Sequence, residues 1–180
     1  MKHLTVVAVL LVAVMMLAAF SGPADAQEHK YVGAKGCKVC HIAPARGAQF
    51  KQWEESKHAK AYQTLAGEEA KKIAAEKGIA NPQEAAECLK CHVTGHGADP
   101  SLFTETYAKD DGVGCESCHG AGNDYKNIQI MKDVEKAKAN GLIIPDKETC
   151  VKCHNEESPT FKSFNFDEMW PKIQHPIPAQ

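Results

Sequence analysis

Eight cysteines in this 180-residue chain fall into four pairs of one spacing, and a histidine follows each pair at once. The four units are Cys37-x-x-Cys40-His41, Cys88-x-x-Cys91-His92, Cys115-x-x-Cys118-His119 and Cys150-x-x-Cys153-His154. With nine histidines in 180 residues, four such coincidences have odds on the order of one in 10⁵. This is attachment chemistry for c-type haem: the two thiols add to the haem vinyl groups, and the adjoining imidazole ligates iron from the proximal side. Four disulfides would require no histidine after each second cysteine. Structural zinc on C-x-x-C units requires none there either. The spacing therefore predicts four covalent haems c, with iron as the metal.

A haem iron accepts two axial ligands, so four haems call for four more. Setting aside His3 and the four motif histidines leaves His29, His58, His96 and His175. Bis-histidine iron is coordinatively full and exchanges electrons without binding a substrate. Met131 is the methionine nearest the third motif on its C-terminal side, and it reads as core filler.

The elements that must position these groups read as helices joined by loops. The stretch from Ala43 to Gly78 is rich in Ala, Glu, Lys and Gln, with a break expected at Gly67 and a stop at Gly78. Asn81, Pro82 and Glu84 read as the cap and first turn of a helix that carries the second motif at its C-terminal end. The segment from Pro145 to His154 repeats that pattern more briefly. Residues 93–114 read as loop, and one helix is expected around Ile130–Asn140, closed by Gly141. The motifs lie 51, 27 and 35 residues apart, so there is no uniform repeat. The expected fold class is mainly α: a small, loop-rich multihaem domain wrapped around its four haems.

Composition agrees. Aromatic residues are only 7%, a thin supply for a protein core of this length, and porphyrin faces would fill the deficit. The N-terminus carries Lys2, an apolar run from Leu4 to Phe20 and small residues at Ala24 and Ala26, the pattern of a secretory signal cleaved after Ala26. Residues 1–26 are thus the expected signal and 27–180 the tetrahaem domain, periplasmic or extracellular, with no membrane span after cleavage. Loss of Lys2 and Asp25 leaves the charge at −2. Four ferric bis-histidine haems at −1 each would bring it to roughly −6, an acidic surface suited to basic redox partners. There is no basic patch to suggest nucleic acid.

"KHAKAYQTL" from Lys57, "CLKCHVTGHG", "GVGCESCHGAG" and "FNFDEM" together resemble, in order, segments of the tetrahaem cytochrome c-554 family, over about Gly33 to His175. The resemblance implies a mainly helical fold, haems packed in close pairs, and transfer of electrons to and from partner proteins. It implies His58 as distal ligand of the fourth haem and His175 as that of the third. Two departures stand out. The family places a histidine soon after the "CESCHG.G" segment, where this chain has Tyr125 and Gln129, and His96 replaces an apolar residue beside a haem with an open site.

His96 follows His92 by four residues, a reach of at most ~14 Å, which barely rounds a haem edge. His96 is therefore expected on the first haem, which lacks its usual partner, and His29 on the second. His29 lies three residues into the mature chain, where a free arm could reach its own haem or that of the next copy in a head-to-tail filament. The sequence reads as an electron carrier rather than an enzyme, in monomeric form or as a subunit of a haem wire. The alternative is a haem enzyme with one open site, acting on nitric oxide, hydroxylamine or a similar small nitrogen compound. We expect a mature protein starting at Gln27 with four haems that stay attached on denaturation. Intact mass measurement checks this, and a mass matching fewer haems rules out the count.

Overall fold

A computed structural model of the protein describes residues 28–175. The expected signal segment 1–26 and Gln27 lie outside the described residues. Short helices carry the motifs: Ala34–His41, Ala86–His92, Cys115–His119 and Lys147–Val151. The last of these ends before Cys153 and His154, which occupy the following turn. Gln49–Glu54, Ala61–Thr64, Glu68–Glu76, Ile128–Met131, Val134–Ala139 and Phe166–Ile173 complete the α-helices, with single 3₁₀ turns between. Among the described residues the sole β feature is an isolated parallel bridge, Tyr31 with Phe103. The architecture is mainly α and loop-rich.

Local signals account for many of the boundaries. Gly67 caps Glu68–Glu76, whose chain leaves through Gly78 at φ +70°. Asp146 accepts from the Thr149 N–H at 3.0 Å while Thr149 Oγ1 faces the Asp146 N–H, a complete capping box. Two expected helices differ. Asn81 does accept from the Gln83 N–H at 3.0 Å, but this closes a separate turn, and the helix of the second motif begins only at Ala86. The single helix expected around Ile130–Asn140 is two. Asp133 turns extended and accepts from the N–H groups of Glu135 and Lys136, so it starts a new helix instead of continuing the old one.

The expectation that the chain around His29 is free to extend also fails. Tyr31 donates to the Leu102 carbonyl at 2.7 Å and accepts from the Thr104 N–H at 3.0 Å. Lys30 accepts from the Asn123 N–H at 3.0 Å, and Thr106 Oγ1 donates to the Val32 carbonyl at 2.7 Å. The Ala34 N–H, at the start of the first motif helix, donates to Asp111 Oδ2 at 3.0 Å. The firmest hold comes from Glu116, only 4% exposed. Its oxygens accept from Val32 and Gly33 at 2.8 Å each and from Gly122 at 2.7 Å.

The buried apolar set among the described residues is small-grained: Val32, Ala34, Phe50, Leu65, Ala74, Leu89, Val93, Tyr125 and Ala137. Leu65, Leu89 and Val93 form a cluster with Tyr62 and Cys88 under the second motif. Meanwhile Val39, between the two cysteines of the first motif, is 83% exposed. Replacing Glu116 by Ala would strand three buried N–H groups and should cost about 3–5 kcal/mol. Denaturant unfolding of the haem-loaded protein followed by circular dichroism checks this; an unchanged midpoint refutes it.

Candidate functional site

His58 and His154 stand with ring centroids 6.0 Å apart and planes at 69°. His119 and His175 do the same at 6.0 Å and 64°. Two imidazoles bonded through nitrogen to opposite sides of one metal, at about 2 Å each, hold their centroids roughly 6 Å apart. Each pair joins a motif histidine to one of the four spare histidines, so the side chains present fit a bis-histidine haem iron at both places.

The sequence reaches this arrangement through contacts on either side of each ring. The His58 carbonyl accepts from the Val113 N–H at 3.0 Å, just ahead of the third motif. Gly112 makes that approach possible. Its φ is +67°, and a Cβ there would sit 2.9 Å from the His58 carbonyl oxygen. Trp53 Nε1 closes the same corner by donating to the Val113 carbonyl at 2.8 Å. On the far side, Phe164 stacks on His154 with centroids 5.0 Å apart. His175 lies just beyond the helix Phe166–Ile173 and its stacked Phe166–Trp170 pair.

Several ring nitrogens are committed. Nδ1 of His92 lies 2.7 Å from the Ala61 carbonyl oxygen, that of His119 3.1 Å from Ile143, and that of His175 2.9 Å from Ile173. A carbonyl oxygen only accepts, so Nδ1 carries the proton and Nε2 keeps its lone pair for a metal. His41 Nδ1 lies 3.3 Å from Gln49 Oε1, and His29 Nδ1 lies 2.7 Å from Asp124 Oδ2. Burial lowers the affinity for a second proton at His58, helped by its neighbour His154, and likewise at His154. At His119 burial again dominates, the Ile143 carbonyl opposing it. Neutral imidazole is the form that binds iron.

All eight cysteines are free and half-buried. The neighbouring Cys115 thiol lowers the proton affinity of Cys37, and burial together with the field of Cys91 raises that of Cys153. Cys118 faces the field of Cys150. The motifs are thus neighbours in the order first, third, fourth, second. Lys90 and Glu157 add an ion pair between the second and fourth. No three His, Cys, Asp or Glu side chains among the described residues converge as a zinc site would require.

A family model described as cytochrome c554 and c-prime matches residues 36–120, which hold the first three motifs. Cytochrome c-554 of Nitrosomonas europaea is 29% identical over 199 aligned positions, covering 91% of this chain and 82% of that protein. The chain is similar to the cytochrome c-554 family through its first three motifs and along most of its length. It is therefore a multihaem c-type cytochrome of electron transfer, carrying covalent haem with iron. No solved structure matches it significantly.

Two members of the sequence-derived set are not brought against a motif histidine in this cytochrome c-554 relative. His96 is exposed on the turn formed with Gly95 and Gly97. His29 contacts Asp124 and Gly141. Among the described residues no third pair of imidazoles faces off as the first two do. Tyr125, where the family has its histidine nearby, is 5% exposed and donates to the Gly120 carbonyl at 2.9 Å, holding the end of the third motif. Sequence reasoning missed Glu116, Asp124 and Thr94. Thr94 Oγ1 accepts from the Gly114 N–H at 2.7 Å and donates to the Gly112 carbonyl at 3.0 Å. The string "GVGCESCHG" was the one available signal for that corner.

Replacing His58 or His175 by Ala should convert one haem each to the high-spin ferric state with attachment intact. Electron paramagnetic resonance of the two variants checks this, and unchanged low-spin spectra in both refute it.

Proposed function

We propose that this chain is a tetrahaem electron carrier, exported to the periplasm or beyond, whose haems are mostly bis-histidine. The attachment pairs are Cys37/Cys40, Cys88/Cys91, Cys115/Cys118 and Cys150/Cys153, with His41, His92, His119 and His154 proximal. His154 and His58 flank the fourth iron, and His119 and His175 the third. The observation that carries the reading is the twin 6.0 Å separation of those imidazole pairs. Haem iron, when bound, supplies the reversible ferric–ferrous couple.

The protein's share is to hold neutral imidazoles on both faces, exclude competing ligands and set the neighbourhood of each site. Glu116 reaching Val32 and Gly33 beside the first motif, the field of Cys150 at Cys118, and the Lys90–Glu157 ion pair support a path ordered first, third, fourth, second. Redox proteins, other cytochromes foremost, are the partners. Among the described residues no helix is long and apolar enough to cross a membrane.

A second reading has an observation of its own. His92 has no facing imidazole among the described residues, and His96 is exposed, so the second haem is the place for an open site. That site would bind a small nitrogen compound such as nitric oxide or hydroxylamine. Alternatively, His96 of a neighbouring copy would close it and build a haem wire.

Carbon monoxide added to the reduced protein separates these readings. We expect at least three haems to remain unreactive while all four exchange electrons with a soluble c-type partner. Carbon monoxide binding at two or more haems overturns the bis-histidine carrier. Binding at one haem, with turnover of nitric oxide, establishes the enzyme, and concentration-dependent loss of that binding establishes the wire.

A further inference from the structure

His29 has the mark of a prepared metal ligand. Its Nδ1 lies 2.7 Å from Asp124 Oδ2, across 95 residues of sequence, and both side chains are three-quarters buried. An ionised carboxylate only accepts, so the Nδ1–H donates and Nε2 keeps its lone pair. His92, His119 and His175 have their Nδ1 fixed in the same sense by carbonyl oxygens. Exposed His96 is not so held.

The ring is also seated. Its Cδ2–Nε2 edge passes over Gly141, where a Cβ would come within 2.7 Å of Cδ2 and 2.8 Å of Nε2. Gly141 has φ +97°, so the position suits glycine on both counts. The same loop orients His119, which donates to the Ile143 carbonyl and accepts, through its own carbonyl, the Ile143 N–H at 2.9 Å. On the other side, Asn123 pairs with Lys30 and thereby fixes the residue after His29.

We propose that His29 is the distal ligand of the first haem in its own chain, and that Asp124 is the residue that positions it. The assignment rests on the tetrahaem reading above and reverses the expectation, left once His96 was given to the first haem, that His29 serves the second. Elimination and neighbourhood both point there. The third and fourth haems have their histidine pairs. The turn bearing Asp124 continues into buried Tyr125, which lies in the field of Cys37, a thiol of the first motif. The second motif instead borders Ala61, Thr64 and Glu157. A carboxylate partner makes an imidazole more electron-rich than a carbonyl does, so this ligand favours ferric iron.

The test uses the haem-loaded protein. Intact mass is read first, because a count below four would speak to the tetrahaem reading and not to His29. In His29→Ala, one of the four haems should become high-spin in a protein that remains monomeric, and added imidazole should restore the low-spin signal. In Asp124→Asn the spin states should match those of the unmodified protein, and one reduction step should move to higher potential; four unchanged steps overturn the role of Asp124.

Identity of the haem follows from a Cys37→Ala/Cys40→Ala background that lacks the first. There, His29→Ala should add no high-spin signal, and its appearance overturns the assignment. If that background does not accumulate, Cys37→Ala alone leaves one vinyl group and shifts the band of the first haem, and the spin change must belong to the shifted band. A His29→Ala spectrum with no high-spin signal beyond that of the unmodified protein overturns the ligation. A high-spin fraction at the first haem, identified in the Cys37→Ala protein by its shifted band, that grows on dilution overturns supply within one chain.

Discussion

Glu116 occupies one of the two variable positions of the third C-x-x-C-H unit, yet its oxygens accept main-chain N–H groups from Val32, Gly33 and Gly122. Val32 and Gly33 present consecutive donors, and consecutive N–H groups form a concave anion site. At 4% exposure the carboxylate has left water, and those N–H groups are what replaces it. The described residues N-terminal to the first motif depend on this clasp. It lays the segment 31–33 along the third motif, and the helix Ala34–His41 then starts beside Cys115–His119. The neighbouring thiols of Cys37 and Cys115 are the outcome.

A frame of this kind suits a chain whose interior is not supplied by its own side chains. The motif helices span five to eight residues, well short of what holds a helix in water by itself. Val32 is the largest side chain buried almost completely among the described residues. Capping carboxylates and long-range side-chain to main-chain bonds therefore do much of the work that apolar packing does elsewhere. Covalent haem completes the interior. The same geometry explains why burial keeps His58, His119 and His154 from taking a second proton: the rings face one another where water would otherwise solvate a charge.

What could be read from the sequence was what is local. Gly67, Gly78 and Gly141 end or begin segments where expected, and the Asp146 cap lies within one turn of what it caps. The mainly α, loop-rich architecture followed from such signals. The Asp133 break was missed because a capping side chain inside a helix-rich stretch competes only once the chain has bent. The strap around His29 was missed for a different reason. Its bonds run to Leu102, Thr104, Glu116 and Asn123, partners 71 to 93 residues away in sequence from the strap residues they hold, and periodicity carries no trace of such pairings. Its place near the start of the mature chain then gave His29 a freedom that it does not have. His58 and His175 came instead from the resemblance of their flanking strings, which encodes tertiary placement in a way composition cannot.

On the tetrahaem reading, four copies of one cofactor transfer electrons in a preferred direction only if their surroundings differ, and the differences available here lie one bond beyond the proposed iron ligands. His92, His119 and His175 lean on carbonyl oxygens, His41 on a glutamine amide oxygen, and His29 on a carboxylate. Glu116 adds negative charge near the first and third motifs, its oxygens hydrogen-bonded to Val32 and Gly33 just ahead of Cys37 and to Gly122 just after His119. A field that favours holding a proton also favours holding the higher oxidation state of iron. Both Asp124 and Glu116 therefore act in one sense and at one end. At the other end the charges of Lys90 and Glu157 cancel at the surface. On the tetrahaem reading, these side chains bias electrons away from the first and third sites and towards the fourth and second, the end where His92 has no facing imidazole among the described residues. The carboxylate that builds the frame thus also grades the path.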